Sequence, residues 1–171
     1  PITGLFNRRH IQERLPLAWT HQALHGGHVG LLMINIDHFK RYHDRYGLMA
    51  SESCLRQVGE TIRACVKPSE ARVARYGDDT FVVLLPDDAQ DTATALAERI
   101  RQAGASMGVR HAASAASRYV TVSIGVARWP AQVGTAAEAM LQAAEQAMSE
   151  AKAAGRNRVV QATGPVNQVV A

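Results

Sequence analysis

Between Arg72 and Pro86 the chain reads RVARYGDDTFVVLLP. Two apolar runs, residues 72–76 and 81–85, flank a four-residue polar turn, and that pattern predicts a β-hairpin. The turn is Gly77-Asp78-Asp79-Thr80, so adjacent carboxylates sit where the hairpin reaches the edge of a sheet. A turn of this kind can hold a metal ion and phosphates.

The rest of the chain supplies helices to cover such a sheet. Residues 7–25 predict a first helix with Asn7 as its N-cap. Pro16 lies inside it and predicts a kink or a split; Gly26-Gly27 ends it. His28 to Ile36 (HVGLLMINI) is almost continuously apolar, as a strand buried on both faces should be. Asp37 is read as the cap of a short helix reaching about Tyr46, and Gly47 breaks it. A longer helix follows from about Ala50 to Val66, with Leu55, Val58, Ile62 and Cys65 on its apolar face. Pro68 stops it.

After the hairpin, residues 89–104 predict a helix with Ala93, Leu96, Ala97 and Ile100 inward. Residues 105–118 are Ala/Ser-rich and read as a surface loop. Residues 119–127 predict a strand, and residues 135–154 a helix with Ala137, Met140, Leu141, Ala144, Met148 and Ala151 on one face. Gly155 terminates that helix, and residues 158–161 form a last short strand. The expectation is one domain over residues 1–161 and a frayed tail over 162–171. The fold class is α+β: a central mixed sheet flanked by helices, with the hairpin at its middle and a ferredoxin-like core.

Composition narrows the function. A chain of 171 residues, 47% hydrophobic, suits one domain with a real core. No run of about 18 apolar residues is present, so no membrane span is expected. The net charge of +4 is scattered and only 5% of residues are aromatic, which argues against a nucleic-acid groove and suits a small phosphate-bearing ligand. Cys54 and Cys65 fall about 16 Å apart along one helix, too far to pair, and read as thiols in a reducing cytoplasm. The opening Pro1-Ile2-Thr3-Gly4 carries no signal peptide and reads as a domain cut from a larger protein. His21, His25 and His28 straddle Gly26-Gly27 without an acidic partner, and read as a surface cluster rather than a metal site. Trp19 and Trp129 carry no functional signal.

Five segments, in order, carry a family resemblance: Thr3-Gly4-Leu5-Phe6-Asn7-Arg8-Arg9, Asn35-Ile36-Asp37-His38-Phe39-Lys40, Arg75 to Phe81, Val122-Ser123-Ile124-Gly125-Val126, and Ala151 to Arg158. They resemble the TGLxNRR, DxDxFK, RYGGDEF, VSIGV and AKxxGRNx motifs of GGDEF domains, the diguanylate cyclases. The resemblance implies a palm-like sheet shared with nucleotidyl cyclases. It implies condensation of two GTP into cyclic di-GMP across a two-fold interface, with Mg²⁺ ions on the phosphates. It also implies a homodimer, or docking onto other domains of a larger protein.

Set against that family, several positions are changed. The metal set implied by the resemblance falls on Asn35 (an Asp in the family), the backbone carbonyl of Ile36, and Asp79. Thr80 stands where the family has a Glu, and a hydroxyl cannot act as a base or an anionic ligand near neutral pH. Asp78 replaces a Gly; an Asp tolerates the positive φ that tight hairpins often need. The catalytic positions are thus Asp78, Asp79 and Thr80.

The implied nucleotide-binding set is His38 and Phe39 through their amides, His43, Glu52, Gly77, Asp78, Lys152 and Arg156. Glu52 can accept from guanine N1–H and N2, and His43 can donate to O6. Lys152 and Arg156, four apart, are read as sharing one helix face. The family's feedback motif RxxD is replaced by Pro68-Ser69-Glu70-Ala71, so product inhibition there should be lost. The resulting expectation is a degenerate domain, impaired as a cyclase, that binds cyclic di-GMP or GTP in signalling. The alternative is an active cyclase in which Asp37, Asp78 and Asp79 gather the metals. A third reading is a structural docking or dimerisation domain that binds no nucleotide.

Overall fold

A computed structural model describes residues 5–133 and 137–164. Its elements, in chain order, are β1 (Phe6–Asn7), α1 (Arg8–His25), β2 (His28–Ile36), α2 (Phe39–Cys65), β3 (Arg72–Arg75), β4 (Thr80–Leu85), α3 (Ala93–Ser106), β5 (Val122–Pro130), α4 (Ala137–Ala153) and β6 (Val159–Gln161). The six strands form one mixed sheet in the order β1-β3-β4-β2-β5-β6. The unit β2-α2-β3-β4-α3-β5 is antiparallel throughout and makes the ferredoxin-like core. β1 and β6 extend it by parallel pairing with β3 and β5. The hairpin is therefore off centre, and the middle strands are β4 and β2.

Alternation along the strands builds two cores. Leu32, Ile34 and Ile36 of β2 join Phe81, Val83 and Leu85 of β4 under α2 and α3. Leu31 and Met33 join Val82, Leu84 and Trp129 under α1 and α4. A strand covered on both faces must be apolar at nearly every position, which is why HVGLLMINI has no alternation. Cys54 lies in the first core, and burial pushes its thiol up to about 12, so it is inert at neutral pH. Cys54 and Cys65 are both free.

Several local expectations need correction. Asn7 caps α1 through its side chain, and Gly26 ends the helix in the left-handed region, as expected. Yet Pro16 neither splits nor ends α1. It sits on the exposed side while Ile11, Leu15 and Trp19 hold the helix to the sheet on either side of it. α3 starts at Ala93, not near 89, because the buried Asp88 caps it: Oδ1 accepts from the Thr92 amide and hydroxyl, both 2.8 Å, and Oδ2 from the Ala93 amide at 3.2 Å. Arg128 pairs with the same carboxylate at 3.2 Å. Asp88→Ala removes the cap and one of the two carboxylates on Arg128, which keeps Asp91 at 3.2 Å and the residue-88 carbonyl, so it should cost about 1–2 kcal/mol in urea unfolding, mostly from the lost cap; a loss below about 0.5 kcal/mol would refute that account.

β5 is Val122–Pro130 rather than 119–127. The start of the 162–171 segment is tied down, since the Ala162 amide donates to the Val126 carbonyl at 2.7 Å; residues 165–171, and residues 135–136 of the expected last helix, lie outside the described residues. His21 and His25 stack at 4.4 Å on α1, and among the described residues no three His, Cys, Asp or Glu groups converge to hold a metal.

Candidate functional site

The hairpin turn is closed by its own backbone and by one guanidinium. The Tyr76 and Gly77 amides donate to the Thr80 carbonyl at 2.7 and 3.1 Å. Arg75 donates from Nε to the Gly77 carbonyl (3.2 Å) and from Nη2 to the Asp78 carbonyl (2.9 Å). Neither Gly77 nor Asp78 has a positive φ, contrary to expectation. A Cβ at Gly77 would meet Thr80 Cβ at an ordinary 3.7 Å. This turn makes no left-handed demand at position 78, so an Asp stands there without strain.

The turn leans onto the end of β2. Ile36 donates its amide to the Asp79 carbonyl at 3.1 Å. Asn35 and Thr80 are register partners across β2 and β4. Asn35, only 4% exposed, donates from Nδ2 to Thr80 Oγ1 (3.1 Å) and to the Asp79 carbonyl (3.3 Å). Thr80 Oγ1 donates in turn to Asp79 Oδ1 at 3.4 Å. The three changed or retained catalytic positions therefore do come together, and they bond to one another. Asp78 projects into solvent.

Asp37 corrects an expectation. It does not cap a helix and does not face the hairpin. It is fully buried, and its oxygens accept from Thr121 Oγ1 (2.7 Å), Ser123 Oγ (2.6 Å) and the Asn157 amide (3.0 Å). Charge-assisted hydrogen bonds of this number satisfy a buried carboxylate without a metal. Asp37 thus ties the end of β2 to β5 and to the turn after α4. Its neighbour His38 becomes the N-cap of α2, in the left-handed region at φ 53° and with no side-chain cap.

That arrangement leaves an anion cradle. The first amide of α2 bonded to a carbonyl is Tyr42, to His38 at 3.0 Å; among the described residues, none of the amides of residues 38–41 has a backbone acceptor. Four free donors at a helix start favour an anion. Arg156 stands beside them, one residue before the Asn157 amide that grips Asp37. It does not share a helix face with Lys152: α4 ends at Ala153, and Arg156 is left-handed at φ 66°.

Arg156 Nε is buried without a partner, as is His38 Nε2. Burial, together with the Arg156 and Arg41 guanidinium groups, lowers the His38 imidazole below its ordinary value, against the opposing pull of Asp37. His38 is therefore a neutral ring that contributes its amide, not a cation. Lys152 and Glu52 are half-buried, and among the described residues neither side chain makes a hydrogen bond or an ion pair. The ring of Phe39 packs against the first core, leaving its amide at the cradle.

α2 is broken at Gly47 (φ 86°, ψ −178°), a conformation reserved for glycine. Ser51 Oγ donates to the Gly47 carbonyl at 2.7 Å, and His43 Nδ1 lies 3.2 Å from Ser51 Oγ. The hydroxyl proton is used, so the ring nitrogen is the donor there.

Thr121, Ser123, Asn157, Arg75, Ser51 and His111 complete the site and were missed as site residues. Ser123, Asn157 and Arg75 did lie inside quoted motifs. His111 lay in the segment read as a surface loop, yet it is 1% exposed and its Nε2 bonds the His38 carbonyl at 3.0 Å.

A profile of the family described as "Diguanylate cyclase, GGDEF domain" matches residues 1–158. The chain belongs to the GGDEF-domain family. It is 36% identical over 161 residues to the response regulator PleD of Caulobacter vibrioides, covering 93% of this chain and 35% of PleD. It is 34% identical over 159 residues to the diguanylate cyclase DgcP of Pseudomonas aeruginosa, covering 93% of this chain and 23% of DgcP. The GGDEF domain of DgcB from Caulobacter crescentus, solved in complex with c-di-GMP, superposes with a TM-score of 0.82 at 27% identity, over 94% of this chain and 90% of that one. This GGDEF domain thus spans about a third of PleD or less of DgcP, and its mixed sheet flanked by four helices is the fold of its structural neighbours.

Mg²⁺ is the metal such cyclases imply. The side chains at the hairpin do not fit it: Asn35 presents N–H groups to the hairpin, Thr80 is neutral, and Asp37 is buried and held by three hydrogen bonds to β5 and the turn after α4. With Asp78 turned to solvent, Asp79 is the acidic side chain left beside Asn35 and Thr80 among the described residues.

Proposed function

We propose that this GGDEF domain is a guanine-nucleotide-binding regulatory module in cyclic di-GMP signalling, impaired as a cyclase. One observation carries the reading. At the end of β2 a single carboxylate, Asp79, is left for catalysis, while the adjacent cradle of free amides at residues 38–41 and Arg156 is complete. The phosphates of cyclic di-GMP or GTP would lie on that cradle, with Lys152 on its outer side and Gly77 and Asp78 at its rim. The base would lie toward His43 and Glu52. His43 spends its Nδ1 proton on Ser51, so it can donate to guanine O6 only from a protonated Nε2.

The active-cyclase alternative needs Asp37 among its metal ligands. The three short hydrogen bonds to that buried carboxylate weigh against it. A groove of about 440 Å³ at the far edge of the sheet is lined by Pro68 and Ala71, where the family has its RxxD charges. Arg63 and Arg72 also line it, so the loss of feedback inhibition is argued from the missing RxxD pair itself. The domain would pair with a second copy or dock onto other domains of a larger protein. Free thiols and a nucleotide ligand support a cytoplasmic setting, and among the described residues no helix is long and apolar enough to cross a membrane.

Calorimetric titration with cyclic di-GMP and with GTP tests the reading. Saturable binding is expected with one of them, weakened about tenfold or more by Arg156→Ala, the cost of one charge-assisted contact. No binding of either at about 100 µM ligand, roughly −5.5 kcal/mol, would remove it.

A further inference from the structure

Asn35 and Thr80 face each other directly in the β2–β4 register. Two carboxylates at such a pair of positions repel across the sheet unless a cation lies between them. Here the pair is an amide and a hydroxyl, and every proton they own is placed. Asn35 uses one N–H on Thr80 Oγ1 and the other on the Asp79 carbonyl. Thr80 uses its hydroxyl proton on the Asp79 carboxylate. Turning the amide over would set its oxygen against the Asp79 carbonyl, so the orientation is dictated by its partners.

The chain of donors runs one way, from β2 to the turn, and ends on the Asp79 carboxylate. A divalent cation needs the opposite: oxygen lone pairs converging on a point. A cation at this edge would meet the N–H protons of Asn35, and Asp79 Oδ1 already accepts a hydrogen bond.

We propose that the Asn35–Thr80–Asp79 chain takes the place of a divalent ion, so that this edge is complete without metal and its ligand binds metal-free. The phosphate charge is then met by the amides of residues 38–41 and by Arg156. The two substitutions act as a unit, since each supplies the partner that the other requires. The ligand part of this inference rests on the guanine-nucleotide reading above; the metal part does not.

The test has two arms on the intact 171-residue chain. In the first, free Mn²⁺ is followed by its paramagnetic resonance signal as protein is added. The wild type is expected to bind none saturably, and Asn35→Asp with Thr80→Glu to bind it. The double variant should also melt lower than the wild type in chelator. It should gain about 5 °C or more with Mg²⁺ at about 100 times its Kd, while the wild type stays put.

In the second arm, cyclic di-GMP is titrated in chelator and in Mg²⁺, and the wild-type affinities should agree within about twofold. Stoichiometric Mn²⁺ binding by the wild type, or a loss of about tenfold or more in chelator, overturns the inference. If cyclic di-GMP binds in neither condition, its role as ligand here falls, while the Mn²⁺ titration still decides the metal question. That titration stands whether or not the double variant folds.

Discussion

Incubated with GTP and Mg²⁺ or Mn²⁺, this domain is expected to make cyclic di-GMP at least about 10⁴-fold more slowly than the same fold bearing both missing carboxylates. The estimate takes each lost carboxylate at roughly a hundredfold, or a few kcal/mol of transition-state stabilisation. Asn35 can turn its amide oxygen toward the hairpin only by giving up its bonds to Thr80 and the Asp79 carbonyl. Thr80 offers a hydroxyl that is not a base near neutral pH. Chromatography of the product mixture is the measurement. Asn35→Asp with Thr80→Glu should raise the rate by about 10⁴-fold, and either change alone should do much less, because a two-ion site needs both. Wild-type turnover within about tenfold of the double variant, and abolished by Asp79→Ala, would establish an active cyclase instead.

The second large effect concerns stability. A Cβ at Gly125 would lie 2.1 Å from the Ala144 carbonyl oxygen and 2.4 Å from the Met148 amide nitrogen. Both atoms belong to the backbone of α4, which lies directly on β5, so no rotamer can clear the clash. Gly125→Ala should cost about 3 kcal/mol or more and lower Tm by roughly 6–12 °C. Gly104 is the control. Its Cβ would meet only Val122 side-chain carbons, the nearest at an ordinary 3.6 Å, and it lies in α3. Gly104→Ala should be neutral or stabilising by up to about 1 kcal/mol. Equal melting of the two variants would refute the close-approach account of the VSIGV glycine.

Much of this was legible because it depends on pattern. A two-faced apolar strand, a helix ended by Gly26 and a hairpin between two apolar runs can each be read from a few adjacent residues. What escaped depends on partners distant in sequence. β1 is two residues long and exists only through its pairing with β3; no periodicity can announce it. An acid after a strand reads equally as a cap or a ligand, and only Thr121, Ser123 and Asn157, brought in by β5 and the turn after α4, make Asp37 a buried tie. Lys152 and Arg156 had helical spacing, but Gly155 at φ 125° ends the helix between them. His111 carried no signal in its Ala/Ser-rich surroundings, because its bond is to a carbonyl 73 positions away.

The break at Gly47 has one more consequence. In an unbroken helix His43 and Ser51 would be separated by about 12 Å of axial rise, beyond any hydrogen bond. Here they touch at 3.2 Å. A ruler laid along α2 therefore does not measure the distance between its two halves: the glycine folds that length back on itself. Straightening it would do more than strain a backbone. It would pull His43 and Ser51 a full two turns apart, while leaving every residue between them unchanged.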